Sequence, residues 1–175
     1  IGLEGGVVAS YARGENDILP EERALKVAVQ AIEECGFVPD RDVVLALDSA
    51  ASELSKAFRE QSGEEESIGQ YLFWRAEDPK LMSSDDLIAL YKRWVKEYPL
   101  VSIEDPFAED DHDAWKKLMA EMGKEILIIG DDLVTTKDST IIRCAEEGLI
   151  NTALIKANQI GTLSETLLAT RAAKE

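Results

Sequence analysis

Four apolar segments of this chain end abruptly at an acidic or a basic residue. Each segment is short and rich in valine, leucine or isoleucine, which is typical of a strand buried in a parallel sheet. One of them starts at Val101 and stops at Glu104 and Asp105, because Pro106 has no backbone N–H to offer a neighbouring strand. The other three segments end at Asp48, Asp131 and Lys156. Charged residues at the ends of several strands in series predict a functional site along one edge of a sheet.

The intervals between these strand ends predict how the strands are connected. Glu104 and Asp131 are 27 positions apart, and Asp131 and Lys156 are 25 positions apart, which is about the length of one strand and one helix. A helical pattern of apolar residues fills each interval, and a less regular excursion occupies residues 52–80. Strands that alternate with helices predict an α/β fold with a parallel sheet.

Two α/β architectures have this alternation. A doubly wound sheet usually carries a glycine-rich phosphate-binding loop at its first strand–helix turn, and the sequence contains neither G-x-G-x-x-G nor a Walker motif. We therefore expect part of a (β/α)8 barrel of the TIM type, in which the chemistry lies at the carboxyl ends of the strands.

Local signals predict where several elements begin and how they pack. Residues 83–86 are expected to cap one helix, Thr136 or Asp138 the next but one, and Thr162 or Ser164 the last. Residues 69–74 are expected to form a short strand or hairpin whose aromatic side chains pack on the main body. The uninterrupted apolar run at residues 43–47 is typical of a strand buried on both faces.

The composition argues against some classes of partner. A net charge of −16 argues against nucleic acid, since proteins that bind it normally present a basic face. No apolar run approaches the roughly 20 residues that a membrane helix needs, so we expect no membrane segment. Cys35 and Cys144 lack the spacing of metal ligands, and we expect two free, buried thiols in the reducing cytoplasm.

The residues at the strand ends form a set with a definite chemistry. In a parallel sheet Asp48, Glu104, Asp131 and Lys156 would lie at one edge, with neighbouring strands roughly 5 Å apart. Converging carboxylates repel one another unless they are protonated or bound to a metal, and Mg²⁺ prefers oxygen ligands. A cation nearby disfavours the ammonium form of Lys156, so that this lysine can act as a general base. The set predicts Mg²⁺-assisted removal of a proton next to a carboxylate.

Each of these residues has a simpler explanation when it is considered alone. An acid at a strand end is more often the cap of the next helix or a solvated side chain, and a single lysine more often forms a surface salt bridge. His112, the only histidine, lies in an acidic helix start and is expected to be solvated. The hypothesis of a functional site therefore depends on all four residues lying at the same edge of the sheet.

Longer stretches of the sequence resemble a known family. The stretches are VSIEDPFAEDD at 101–111, GDDL at 130–133, IKANQIGTLSE at 155–165, ALDSAASE at 46–53 and GLEGG at 2–6. They resemble enolase, the phosphopyruvate hydratase of glycolysis, in the same order and over nearly the whole chain. The resemblance implies a barrel of the enolase kind.

The resemblance also implies a role for individual residues. Asp48, Glu104 and Asp131 would bind Mg²⁺, and the last two would line the substrate together with Lys156. Lys156 would remove the proton at C2 of 2-phospho-D-glycerate. Glu4 would be the general acid that helps the C3 hydroxyl to leave, which gives phosphoenolpyruvate and water.

The resemblance is incomplete in several respects. Leu3 stands where the family has an acid in Gly-Asp-Glu-Gly-Gly, and Asp132 is expected to support the metal ligands without binding the ion. The family's N-terminal lid domain and its last barrel strands, which hold the substrate phosphate, have no counterpart in the 175 residues. We therefore expect residues 1–175 to be about half a barrel, inactive alone, from a cytoplasmic parent that is a homodimer.

Two other functions stay open at this point. A racemase or a lactonising enzyme of the same superfamily would share the metal ligands, but such enzymes usually carry a Lys-x-Lys motif on an earlier strand, which this sequence lacks. The non-enzymatic alternative is an inactive fragment or paralogue that serves as a binding or structural module, and Leu3 favours it.

Overall fold

The computed structural model describes residues 19–64, 67–76 and 78–175. Glu4, Leu3 and the rest of the glycine-rich segment lie outside these ranges. The elements are α1 (Pro20–Glu34), β1 (Leu45–Asp48), α2 (Ala51–Ser62), β2 (Gln70–Phe73), β3 (Lys80–Ser83), α3 (Ser84–Glu97), β4 (Leu100–Glu104), α4 (His112–Met122), β5 (Leu127–Gly130), α5 (Asp138–Glu146), β6 (Thr152–Ala153), α6 (Ala157–Ile160) and α7 (Leu163–Ala172).

A parallel sheet of four strands, in the order β1-β4-β5-β6, forms the centre of the fold. The register pairs Asp48 with Glu104, Glu104 with Ile129, and Gly130 with Ala153. The helices α4 and α5 connect β4 to β5 and β5 to β6. This alternation of parallel strands and helices confirms the predicted α/β class.

The two faces of the sheet have different environments. Leu47, Ile103 and Ile128 are paired across the strands, so they share one face, and both isoleucines are completely buried in the core. The opposite face carries the residues that alternate with them, and there Leu127 is 49% exposed. Asp48 and Glu104 project from this second, more open face. On this face Asp48 is exposed and Glu104 is half-buried, whereas Ser102 is buried.

The prediction for the first strand is wrong in two respects. β1 begins at Leu45, not at residue 43, and its residues alternate between half-buried and exposed. β1 is an edge strand, since it pairs only with β4 in the described part of the chain, and the alternation shows that only one of its faces is covered. An uninterrupted apolar run gives no information about which neighbours cover it.

The excursion at residues 52–80 begins with the helix α2, which was not predicted, and ends in a hairpin to which the predicted segment at residues 69–74 contributes one strand. β2 and β3 pair antiparallel, with Tyr71 opposite Met82. Tyr71 and Phe73 are buried, whereas Trp74 is 37% exposed. Most of the aromatic cluster therefore packs on the main body.

A buried carboxylate, Asp111, attaches the hairpin to the segment after β4. The hydroxyl groups of Tyr71 and Ser84 donate hydrogen bonds to Asp111 Oδ2, at 2.7 and 2.6 Å. The Tyr71 hydroxyl in turn accepts the backbone N–H of Ala108 at 3.2 Å. Because Asp111 also caps α4 through the N–H of Ala114, one side chain connects the hairpin, the loop after β4 and the next helix.

Two of the predicted helix caps are present and one is not. Ser83 caps α3 in a capping box with Asp86, and Thr162 caps α7 by accepting the N–H of Glu165. No side chain caps α5, whose N-cap is Lys137. The Thr136 hydroxyl instead hydrogen-bonds to the backbone of Lys156 and to the side chain of Gln159. The four-residue helix α6 was not predicted.

The remaining sequence predictions have mixed outcomes. Cys144 is buried, but Cys35 is exposed, so the prediction of two buried thiols is wrong for the residue at the solvent-facing end of α1. His112 begins α4 and its side chain is partly exposed, as expected for a solvated residue. None of the helices in the described ranges combines the length and the apolar character that crossing a bilayer requires.

The Asp111 cluster predicts a specific cost for removing one hydroxyl. We expect Tyr71→Phe to lower the free energy of unfolding by about 1–3 kcal/mol, because it leaves the buried N–H of Ala108 without its acceptor. Urea denaturation measures the change. Tyr98→Phe is the matched control, since the Tyr98 hydroxyl makes a longer, 3.3 Å bond to the Glu22 carboxylate in a partly exposed setting. Equal losses in the two variants would contradict this account.

Candidate active site

The parallel register brings the predicted residues to one edge of the sheet. Asp48 is the last residue of β1 and lies beside Glu104, the last residue of β4. Asp131 directly follows β5, and Lys156 comes three residues after β6. The structure therefore brings together the four strand-end residues that the sequence singled out. Glu4 lies outside the described residues.

The closest contact at this edge joins Lys156 to Asp131. The Lys156 ammonium Nζ lies 2.5 Å from Asp131 Oδ2, and the side chains are 35% and 8% exposed. A nearly buried carboxylate needs a compensating charge. Lys156 supplies it from a position that solvent or a ligand can still reach.

The neighbouring carboxylates carry more negative charge than this one ammonium balances. Partial burial, followed by the charges of Asp48, Asp131 and Asp105, raises the pKa of Glu104 to about 7, against the opposing effect of Lys156. The pKa of Asp48 is also raised, chiefly by burial of its carboxylate and then by Asp131, although a backbone hydrogen bond from Ala50 opposes the change. The strand ends therefore favour an additional positive charge.

These donors fit a hard divalent cation. Asp48, Glu104 and Asp131 offer carboxylate oxygens, which are the ligands that Mg²⁺ prefers. Burial first, and then the neighbouring carboxylates, raises the pKa of Asp48 and of Glu104, and a bound cation would favour the ionised form of both groups. The donor set and the excess of charge both suit Mg²⁺.

Asp105 is a residue of the site that the sequence did not single out as functional. Its two carboxylate oxygens accept the backbone N–H groups of Asp131 and Asp132, each at 3.0 Å. Burial raises its pKa to about 6, although these two hydrogen bonds oppose the shift. Its backbone is left-handed, with φ of 40°, a conformation that aspartate tolerates better than most residues. Asp105 thus holds the loop that carries Asp131.

A second grouping of acids differs from the predicted one. Within the described ranges, Asp105, Asp131 and Asp132 are the three carboxylates whose oxygens lie within 4.8 Å of one another. Their closeness follows from the loop geometry, because Asp105 accepts hydrogen bonds from the backbones of the other two residues. Asp132 is exposed. The predicted ligands Asp48, Glu104 and Asp131 are more widely spread in this arrangement, in which Lys156 occupies one oxygen of Asp131.

Two further residues contact the pair of Asp131 and Lys156. Gln159 donates a hydrogen bond from Nε2 to Asp131 Oδ1 at 2.6 Å. Thr136, completely buried, accepts the backbone N–H of Lys156 at 2.8 Å. Neither role was predicted from the sequence, in which Thr136 was expected only as a helix cap and Gln159 had no expected role. No local pattern shows that the loops after β5 and β6 meet.

The charge balance at the strand ends predicts opposite shifts in two variants. In the presence of EDTA, a carboxyl ¹³C NMR titration of Glu104 should give a pKa near 7. Asp48→Asn should lower this pKa because it removes a repelling charge, and Lys156→Met should raise it because it removes an attracting one. Shifts in the same direction in both variants would contradict the proposed balance.

The same titration has a consequence for stability. Because the pKa of Glu104 is higher in the folded chain than its ordinary value of 4.5, the folded state binds more protons between that value and about pH 7. This group therefore destabilises the fold progressively as the pH rises through that window. We expect Glu104→Gln to gain stability relative to the parent chain at pH 8 and little at pH 4, as measured by thermal unfolding in EDTA.

Comparison with known protein families agrees with the geometry. A family model described as "Enolase, C-terminal TIM barrel domain" matches residues 1–175, which is the whole sequence. The match confirms the predicted barrel class, and the four described parallel strands with their helices form part of such a barrel. The chain belongs to the family of enolase C-terminal TIM barrel domains.

Proposed function

We propose that this chain carries the metal-binding and proton-abstracting part of an enolase active site. The reaction is the reversible, Mg²⁺-dependent dehydration of 2-phospho-D-glycerate to phosphoenolpyruvate. One observation carries the proposal: Lys156 lies 2.5 Å from the nearly buried Asp131, beside the paired strand ends of Asp48 and Glu104. A potential base and an anionic set suited to a dication thus share one edge of the sheet.

The carboxylates would hold the cation. In this proposal Asp48, Glu104 and Asp131 bind Mg²⁺, and Asp132 supports them from the exposed side of the same loop. The bound ion supplies positive charge against the negative charge that develops on the substrate carboxylate. It also offsets the chain's net charge of −16, which would otherwise disfavour an anionic substrate.

Lys156 would act as the base. Its ammonium is held by Asp131, and its side chain is partly exposed, so the nitrogen is oriented and accessible. As the neutral amine, Lys156 would take the proton from C2. The C2–H electron pair would form the C2–C3 double bond, and the C3–O bond would break. Glu4, which the resemblance assigns as the acid, would protonate the departing hydroxyl to give water.

The isolated chain should turn over slowly even where it binds metal. The resemblance assigns the phosphate-binding groups and the lid to segments outside residues 1–175. Orientation of bound reactants contributes as much as about 7–11 kcal/mol to catalysis in favourable cases, and a site without those groups loses part of this effect. Metal binding is therefore a sharper test of the chain than turnover.

Isothermal titration calorimetry with MgCl₂ tests the proposal. We expect the folded 175-residue chain to bind Mg²⁺ and Asp131→Asn to bind it at least about tenfold more weakly. Lys156→Met should bind Mg²⁺ more tightly than the parent chain, because the ammonium no longer competes for Asp131. Any formation of phosphoenolpyruvate, followed by its ultraviolet absorbance, should disappear in Lys156→Met.

Lys117→Met is the matched control for the lysine variant. Lys117 forms an exposed salt bridge with Asp85 on the outer helices, so its loss should leave Mg²⁺ affinity unchanged. A folded parent chain that binds no Mg²⁺ would contradict the proposal and favour a binding or structural module.

A further inference from the structure

A closed ring of hydrogen bonds lies behind the pair of Asp131 and Lys156. The backbone N–H of Lys156 donates to Thr136 Oγ1 at 2.8 Å, and the Thr136 hydroxyl donates to Gln159 Oε1 at 2.7 Å. Gln159 Nε2 donates to Asp131 Oδ1 at 2.6 Å. The salt bridge from Lys156 Nζ to Asp131 Oδ2 closes the ring. Four residues from the segments that follow β5 and β6 are thereby held in one arrangement, with Gln159 in the short helix α6.

The direction of every hydrogen bond in this ring follows from the chemistry of its ends. A backbone N–H can only donate, so Thr136 must accept from Lys156 and has one proton left for Gln159. Gln159 must then turn its carbonyl oxygen to Thr136 and its amide nitrogen to Asp131, whose ionised carboxylate can only accept. Both arms of the ring therefore run from Lys156 as donor to Asp131 as final acceptor, and this direction fixes the orientation of the Gln159 amide.

The backbone around Thr136 is arranged to complete the ring. Thr135 and Thr136 both adopt left-handed conformations, with φ of 47° and 56°, which β-branched residues rarely do. The Thr136 side chain is completely buried, and its hydroxyl makes two of the ring's hydrogen bonds. A strained, buried threonine with both hydrogen-bonding functions used indicates a constraint on the loop.

We propose that Thr136 and Gln159 are positioning residues for metal binding by Asp131 and for the placement of Lys156. This inference rests on the proposed function, since it concerns the same site. Gln159 donates to Oδ1 of Asp131, which restricts rotation of the carboxylate, so that Oδ2, now bonded to Lys156, would be the oxygen available to a cation. Thr136 orients the Gln159 amide by donating to its carbonyl oxygen. By accepting the backbone N–H of Lys156, Thr136 also fixes the backbone position from which the Lys156 side chain extends.

Calorimetric titration of MgCl₂ into the 175-residue chain tests this role. Thr136→Val and Gln159→Leu keep the approximate volume of each side chain but break the ring, and each should weaken Mg²⁺ binding about 10–100-fold. Thr136→Ser keeps the hydroxyl and should retain the affinity of the parent chain. The double variant Thr136→Val/Gln159→Leu should bind no more weakly than the weaker single variant, because the two residues act through one path.

Gln61→Leu is the matched control. Gln61 is exposed on α2, away from the strand ends, and its replacement should leave the Mg²⁺ affinity unchanged. Thermal unfolding in EDTA identifies any variant that fails to fold. If Thr136→Val fails to fold, the Mg²⁺ affinity of Gln159→Leu tests the proposal, because Gln159 is only partly buried.

The outcomes separate this inference from the proposed function. A folded parent chain that binds no Mg²⁺ overturns both. A parent chain that binds Mg²⁺, with a folded Gln159→Leu variant of equal affinity, overturns the positioning role alone. Weak binding by Thr136→Ser, equal to that of Thr136→Val, would also overturn it, since the hydroxyl would then not be the group that matters.

Discussion

Mutual repulsion among carboxylates at the carboxyl ends of a parallel sheet is the constraint on which the site depends. In-register strands place Asp48 beside Glu104, and the next loop adds Asp131. Burial, and then the charges of Asp48, Asp131 and Asp105, raise the pKa of Glu104 in spite of Lys156. The arrangement persists because the core holds the strands, with Ile103 and Ile128 completely buried beneath the charged ends. The apolar core thus keeps the strand-end carboxylates close together, and a bound cation would reduce their mutual repulsion.

The loops at this edge are unusually constrained. Left-handed residues other than glycine follow β1, β4 and β5, at Ala50, Asp105, Thr135 and Thr136. Each such residue carries a conformational cost of order 1–3 kcal/mol. Hydrogen bonds within the edge hold at least two of them, since Asp105 accepts two backbone N–H groups and Thr136 forms part of the ring with Gln159. The polar ends of the strands are therefore positioned by buried hydrogen bonds as well as by the sheet.

Much of this architecture could be predicted from local sequence. Apolar runs that end at Glu104 or Asp131, the proline after Asp105 and the capping residues at Ser83 each carry a signal within a few positions. These signals predicted the alternation of strands and helices, and with it the edge at which the charged residues meet. The family resemblance added roles for these residues that spacing alone left open.

The remainder depends on contacts that no local pattern encodes. The exposure of β1 was predicted wrongly because burial depends on what covers each face of the sheet, and Cys35 was wrongly predicted to be buried for the same reason. Threonine often caps helices, but the Thr136 hydroxyl instead donates a hydrogen bond to Gln159, which the segment after β6 brings close. Asp105 and Gln159 gained their roles from tertiary contacts as well.

The central claim is that the strand-end carboxylates hold one divalent cation beside Lys156. A crystal structure of the chain grown with Mn²⁺ in place of Mg²⁺, analysed by anomalous scattering, tests it most directly. The account predicts a single ion coordinated by Asp48, Glu104 and Asp131, with Lys156 displaced from Asp131 Oδ2. An ion held instead by Asp105, Asp131 and Asp132, or no ion at the strand ends, would contradict it.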